Sequence, residues 1–200
     1  MRFTRFKRPL QKVYLKIRLA HLGHGCQFLD KVIINRPHLV WVGNNVTFRH
    51  DTTLYAHPKT KNQKDPLIII GNGTHISDRC FIGAQTKIVI GNKVLFAPNV
   101  LIQDHSHEYS DITVPVIDQP VTSTEPIEIG SGSWIGYNAA IIAGASIGKN
   151  CVIGANSVVN SVIPDYCVAV GAPARIVKHF DTERGQWVKG VPGQPDSQGS

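Results

Sequence analysis

The stretch IGSGSWIGYNAAIIAGASIGKNCVIGANSVV, residues 129–159, decides the fold. Ile129, Ile135, Ile141, Ile147, Ile153 and Val159 recur every six positions, and small residues (Ser133, Ala139, Ala145, Cys151, Ser157) stand four places after the unit starts. Six is neither the 3.6 of a helix nor the 2 of a flat strand; it is a short strand plus a turn, repeated. The aliphatic residue of each unit is expected to point inward. The small residue also points inward and lets the chain pass close to the axis. An earlier run has Ile70, Ile76, Ile82 and Ile88, with Thr74, Cys80 and Thr86 at the small place; the register slips by two and resumes at Ile90, Phe96 and Ile102. Val42, Phe48 and Leu54 form a weaker run. Asn72, Asn92, Asn99, Asn138, Asn150 and Asn156, with the glycines, suit tight turns. Three units close a triangular coil of about 18 residues, and coils stack at roughly the 4.8 Å of paired strands. Residues 32–172, less one long loop, predict roughly 6–7 coils.

Composition agrees. Val (20) and Ile (22) outnumber Leu (10), which favours strands over helical bundles. At 42% hydrophobic and 18% charged the chain can build a core. No apolar run is long enough for a transmembrane helix, and Lys16 and Arg18 spoil the N-terminal stretch as a secretory signal. Cys26, Cys80, Cys151 and Cys167 form no CxxC pair and read as small buried residues of a cytoplasmic protein. The net charge is +7, but residues 1–18 hold seven of the 21 basic residues and no acid. The body is neutral, which argues against a nucleic-acid partner. After Pro9, the spacing of Leu10, Val13, Tyr14 and Ile17 predicts a short helix over 9–20. It either caps the core or touches an anionic membrane surface, peripherally at the inner membrane.

The organisation expected is a basic arm with a short helix (1–31), a β-helix domain (32–179) interrupted by a loop (103–126), and a polar C-terminal tail, partly disordered (180–200). A loop of about 20 residues inside a compact repeat is usually functional. The break at 56–66 (AHPKTKNQKDP) reads as a plain surface loop.

The hexapeptide units, the loop motif QDHSHEYSD (103–111), the segment 129–159 and the close GAPARIVK (171–178) together resemble hexapeptide-repeat acetyltransferases, nearest in pattern to sugar and polysaccharide O-acetyltransferases and maltose/galactoside acetyltransferases. The resemblance covers about residues 68–179. It implies an all-β fold, a left-handed parallel β-helix, assembled as a homotrimer, with acetyl-CoA as donor bound between neighbouring subunits and a sugar or other small molecule as acceptor.

Acetyl transfer to a hydroxyl needs a base, oxyanion donors and a slot for CoA. Histidine suits the base because its ordinary pKa is near neutrality. The loop offers His105 and His107. By resemblance the base is His107, with His105 the alternative; Asp104 or Glu108 could orient it. The resemblance also assigns Trp134 to the thioester end of the CoA arm, Gly136, Ala143 and Ala155 to the pantetheine path, and Arg175 and Lys178 to the CoA phosphates. No metal is expected. With none of the four cysteines in the loop, the acceptor is expected to attack the thioester directly, without an acyl-enzyme.

Three other readings share the repeat. An acetyltransferase with an amine or other acceptor (amino sugar, serine, xenobiotic) would look the same here, because the acceptor pocket is loop-built. A γ-type carbonic anhydrase would bind zinc through His105, His107 and His75, but its HxxxxH pair is missing. A non-catalytic scaffold would lack the loop histidines.

Overall fold

The computed structural model describes residues 18–123 and 126–192. The chain winds as a triangular prism of parallel coils with three sheets as faces. The first face stacks His21–Leu22, Val40–Val42, Ile68–Ile70, Ile88–Ile90, Ile127–Ile129, Ser146–Ile147 and Val162–Ile163. The second stacks Gln27–Phe28, Thr47–Phe48, His75–Ile76, Leu95–Phe96, Trp134–Ile135, Val152–Ile153 and Cys167–Gly171. The third stacks Ile33–Asn35, Thr53–Ala56, Phe81–Ala84, Leu101–Gln103, Ala140–Ile142 and Val158–Val159. Six complete coils and a seventh begun match the count expected from the repeat. Among the described residues, no helix is long and apolar enough to cross a membrane.

The repeat residues lie where the period puts them. Ile129, Ile135, Ile141, Ile147, Ile153 and Val159 are buried, as are Ser133, Ala139, Ala145, Cys151 and Ser157. The slip of two at Ile88/Ile90 has a plain cause. The first-face strands of the early coils turn two residues inward: Val40 and Val42, Ile68 and Ile70, Ile88 and Ile90, Ile127 and Ile129. Between equivalent corners the uninterrupted early coil from Asn72 to Asn92 is 20 residues long, against 18 later from Asn138 to Asn156.

The asparagines divide into two uses. Asn99, Asn138, Asn150 and Asn156 adopt the left-handed conformation that tight corners need. Asn72 and Asn92 act through their side chains, whose Oδ1 atoms accept the N–H of Asn44 and Asn72 (2.7 Å each) one coil before. This ladder satisfies corner amides that the sheets leave unpaired.

Two boundaries move. The coil begins at His21, within the segment expected as an arm, because Gln27–Phe28 already pairs with Thr47–Phe48 and the two phenylalanines stack at 4.8 Å. At the other end, Ala174–Asp181 folds back antiparallel on Cys167–Gly171, and Gln186–Lys189 pairs with it in turn. Residues 180–189, expected as tail, therefore extend the second face. Phe180 and Trp187 meet edge-to-face at 5.6 Å and hold this hairpin. The helix over 9–20, save its end, and residues 193–200 lie outside the described residues.

Candidate active site

The chain leaves the prism at the corner between the third and first faces, once at 57–66 and once after Gln103. The second excursion is built. His105–His107 pairs antiparallel with Val121–Ser123, and the Gln119 amide donates to Asp111 O (2.9 Å) and Val114 O (2.7 Å).

At its root stands Asp104, fully buried. Its Oδ1 accepts the N–H of Gln85 (2.7 Å), and its Oδ2 accepts those of Thr86 (2.8 Å) and Lys87 (2.7 Å), the corner of the coil below. The Nδ1 of His105 lies 3.1 Å from the same Oδ1. In the tautomer that carries its proton on Nδ1, that nitrogen donates to the carboxylate and Nε2 carries the lone pair. The His105 side chain is 16% exposed, and its main chain is also held, since Gln103 Nε2 donates to His105 O (2.9 Å). This is an oriented imidazole, and no hydrogen bond to its Nε2 is found among the described residues.

His107, the base by resemblance, is exposed, and no hydrogen bond to its ring is found among the described residues. Glu108 is engaged by its own turn: Oε1 accepts the N–H of Tyr109 and Ser110 (2.9 and 3.0 Å), which hold its carboxyl below the usual range. Of the two carboxylates considered as orienters, Asp104 meets a histidine, and that histidine is His105.

Three groups beside His105 escaped the sequence reading. In register, Tyr55 faces Gly83, which faces Gln103, so His57, Gln85 and His105 follow one another along this corner. Gln85 Nε2 lies 3.4 Å from His57 Nδ1, and the rings of His57 and His105 are 6.4 Å apart. A Cβ on Gly83 would fall 2.7 Å from the Phe81 ring and 3.5 Å from His105 Cε1, so glycine keeps a notch beside the imidazole. The Thr86 hydroxyl in the same corner is buried without a hydrogen-bond partner among the described residues. The signal was present, since His57 and Gln85 each directly follow a buried Ala that ends a third-face strand, but the 57–66 insertion hid the period.

The residues assigned to CoA fall in three places. Trp134 is half-exposed on the second face, in the cross-strand row His75, Leu95, Trp134, Val152, Val168, Lys178. Trp134 and Lys178 thus share one outward row, while Arg175, opposite Val170, is exposed and donates to Ala174 O (2.9 Å). Gly136 and Ala155 meet at the corner between the second and third faces. A Cβ on Gly136 would lie 2.6 Å from Ile153 O and 2.7 Å from Ala155 N, so close stacking already demands that glycine. Ala143 follows Ile142, the partner of Gln103, and so stands one coil beyond the Asp104–His105 corner. His75 lies on the second face, away from His105 and His107 in the chain's winding, and among the described residues no three His, Cys, Asp or Glu side chains are grouped to hold a metal.

Residues 126–161 match the bacterial transferase hexapeptide family (six repeats). The chain belongs to that hexapeptide-repeat family. It is 43% identical over 172 residues to a Mycobacterium tuberculosis protein named a probable acetyltransferase, covering 82% of this chain and 55% of the relative. It is 33% identical over 129 residues to an Escherichia coli protein named for O-acetyl transfer in lipopolysaccharide biosynthesis, covering 62% and 66%. The hexapeptide chain therefore spans between about half and two thirds of these curated relatives. A mutant of AntD, an N-acyltransferase from Bacillus cereus solved with dTDP and coenzyme A, superposes with a TM-score of 0.72 at 19% identity, covering 90% of this chain and 92% of that one. The fold is the left-handed parallel β-helix that the family resemblance implied.

Proposed function

We propose that this hexapeptide protein transfers an acetyl group from acetyl-CoA to a hydroxyl of a sugar, with His105 as general base and Asp104 as its positioning residue. The observation that carries the reading is the Asp104–His105 contact of 3.1 Å on a carboxylate fixed by three backbone N–H groups. Nε2 of His105 takes the proton of the acceptor hydroxyl as its oxygen attacks the thioester carbonyl. The tetrahedral intermediate collapses, the C–S bond breaks, and the imidazolium returns the proton to the departing CoA thiolate. Two observations support attack without an acyl-enzyme. Burial raises the thiols of Cys80 and Cys167 to about 11 and pushes up that of Cys151, which makes them poor nucleophiles near neutrality. Cys26 is also buried. The names of both curated relatives support acetyl transfer, and one of them supports a sugar hydroxyl as acceptor.

The active form is proposed to be a homotrimer. His105 projects at one corner of the prism, whereas Trp134 and Lys178 lie on the second face. A neighbouring subunit brought against the corner would supply the second wall of a CoA cleft, and the orphaned Thr86 hydroxyl marks polar ground there.

AntD, an N-acyltransferase, favours an amine as the second reading of the acceptor. Competition decides it: purified protein is given acetyl-CoA with a sugar and with the matching amino sugar, and the product bond is read by its lability to mild base. Ester formation lost in His105→Ala supports the proposal. Exclusive amide formation, or no acetyl transfer to either, overturns it.

A further inference from the structure

The segment 57–66 is more than a plain surface loop. With the corner of the preceding coil it forms a half-open surface cavity of about 240 Å³ to which Arg36, His38, Lys59 and Lys61 contribute, with no acidic side chain in its lining. None of these four makes an ion pair among the described residues. Like charges gathered around one cavity repel unless an anion sits among them. Arg36 adds a second sign. Its Nη1 donates to Ala56 O at 2.9 Å, which aims the guanidinium and leaves its other donors for a ligand. The cavity also touches the active-site corner. Pro58 lines it, and Pro58 follows His57, whose ring is 6.4 Å from that of His105.

We propose that this cavity binds the phosphate or diphosphate group of a phosphorylated sugar acceptor and thereby presents the sugar hydroxyl to His105. Planar guanidinium and ammonium groups together match phosphate oxygens. Donor CoA also carries phosphates, but the cations assigned to it, Arg175 and Lys178, stand at the far end of the second face. The acceptor half of this inference rests on the acetyltransferase reading; the anion half rests on the cavity alone.

The test uses the full chain and inorganic pyrophosphate, without turnover, by titration calorimetry. Binding is expected in the wild type, weakened on raising salt because these side chains are exposed. In Lys59→Gln/Lys61→Gln it should weaken about tenfold or more, while Lys64→Gln, outside the cavity, should bind like wild type. In steady state, the same double variant should raise KM for a sugar phosphate about tenfold and leave that for acetyl-CoA alone. No pyrophosphate binding, or equal weakening by Lys64→Gln, overturns the site. Displacement of pyrophosphate by CoA with a raised KM for acetyl-CoA gives the cavity to the donor and overturns the acceptor assignment. Selective pyrophosphate binding without any acetyl transfer supports the anion site and overturns the enzymatic reading instead.

Discussion

Asp104 and His105 are consecutive in sequence, and the carboxylate of the first holds the ring of the second at 3.1 Å while stapling two coils together through three N–H groups of residues 85–87. The same anion thus serves stacking and, in the proposed mechanism, the positioning of the base. The imidazole inherits its rigidity from the prism rather than from the loop that carries it.

Replacing His105 with Ala should lower kcat about 10²- to 10⁴-fold, the usual worth of a positioned base, with acetyl-CoA binding close to wild type. His107→Ala should cost under about tenfold on that scale. Steady-state kinetics of both variants with one confirmed sugar checks this. A dead His107→Ala beside an active His105→Ala reverses the assignment within the loop.

Asp104→Ala should damage both functions of that carboxylate. Buried donors left without an acceptor cost about 1–3 kcal/mol each, so the melting temperature should fall by several degrees, at about 2–4 °C per kcal/mol for a domain of this size. Among molecules still folded, kcat should drop without a rise in KM for acetyl-CoA. Calorimetry with kinetics separates the two effects; a fully active variant removes Asp104 from the site.

Gly136 was assigned to the CoA path, yet a Cβ there meets backbone atoms of the next coil at 2.6–2.8 Å. Gly136→Ala should therefore destabilise the fold by about 1–3 kcal/mol, the range for overpacking. Chemical denaturation is the measurement. An unchanged midpoint with a raised KM for acetyl-CoA would return the residue to a binding role.

Arg175→Ala should raise KM for acetyl-CoA about tenfold and leave the acceptor's KM where it was, since its exposed guanidinium lies on the proposed CoA wall. Light scattering on the same preparation should give a trimer. A monomer with full activity would sink the shared-cleft proposal.

His75 gives a pH dependence. Burial chiefly, and then the nearby Arg49, lower its pKa below 6.5, while Asp78 opposes them. The folded state prefers the neutral ring, so this contribution is complete above the unfolded value of 6.5 and is lost as pH falls through the lower folded value. Urea unfolding at neutral pH and near pH 5 should show a larger loss in wild type than in His75→Gln. Parallel losses in the two proteins would refute it.

What the sequence determined by itself was everything local and periodic. A six-residue spacing of Ile and Val with small residues between them can bury its apolar atoms only by coiling, so the prism, its core and roughly its coil count were legible at 129–159 and 70–102. The excursion and its two histidines were legible too, because histidines in a segment that breaks the period stand out. Only the tertiary structure shows which of the two loop histidines meets Asp104. That contact depends on where Asp104 points, and Asp104 points at residues 85–87, whose three backbone N–H groups the coil below turns toward it. The His57–Gln85–His105 corner was likewise out of reach, since contacts between residues 28 and 48 positions apart exist only after stacking. The C-terminal hairpin escaped for a related reason: its pairing partner is the last coil, and its own residues carry no period that announces it.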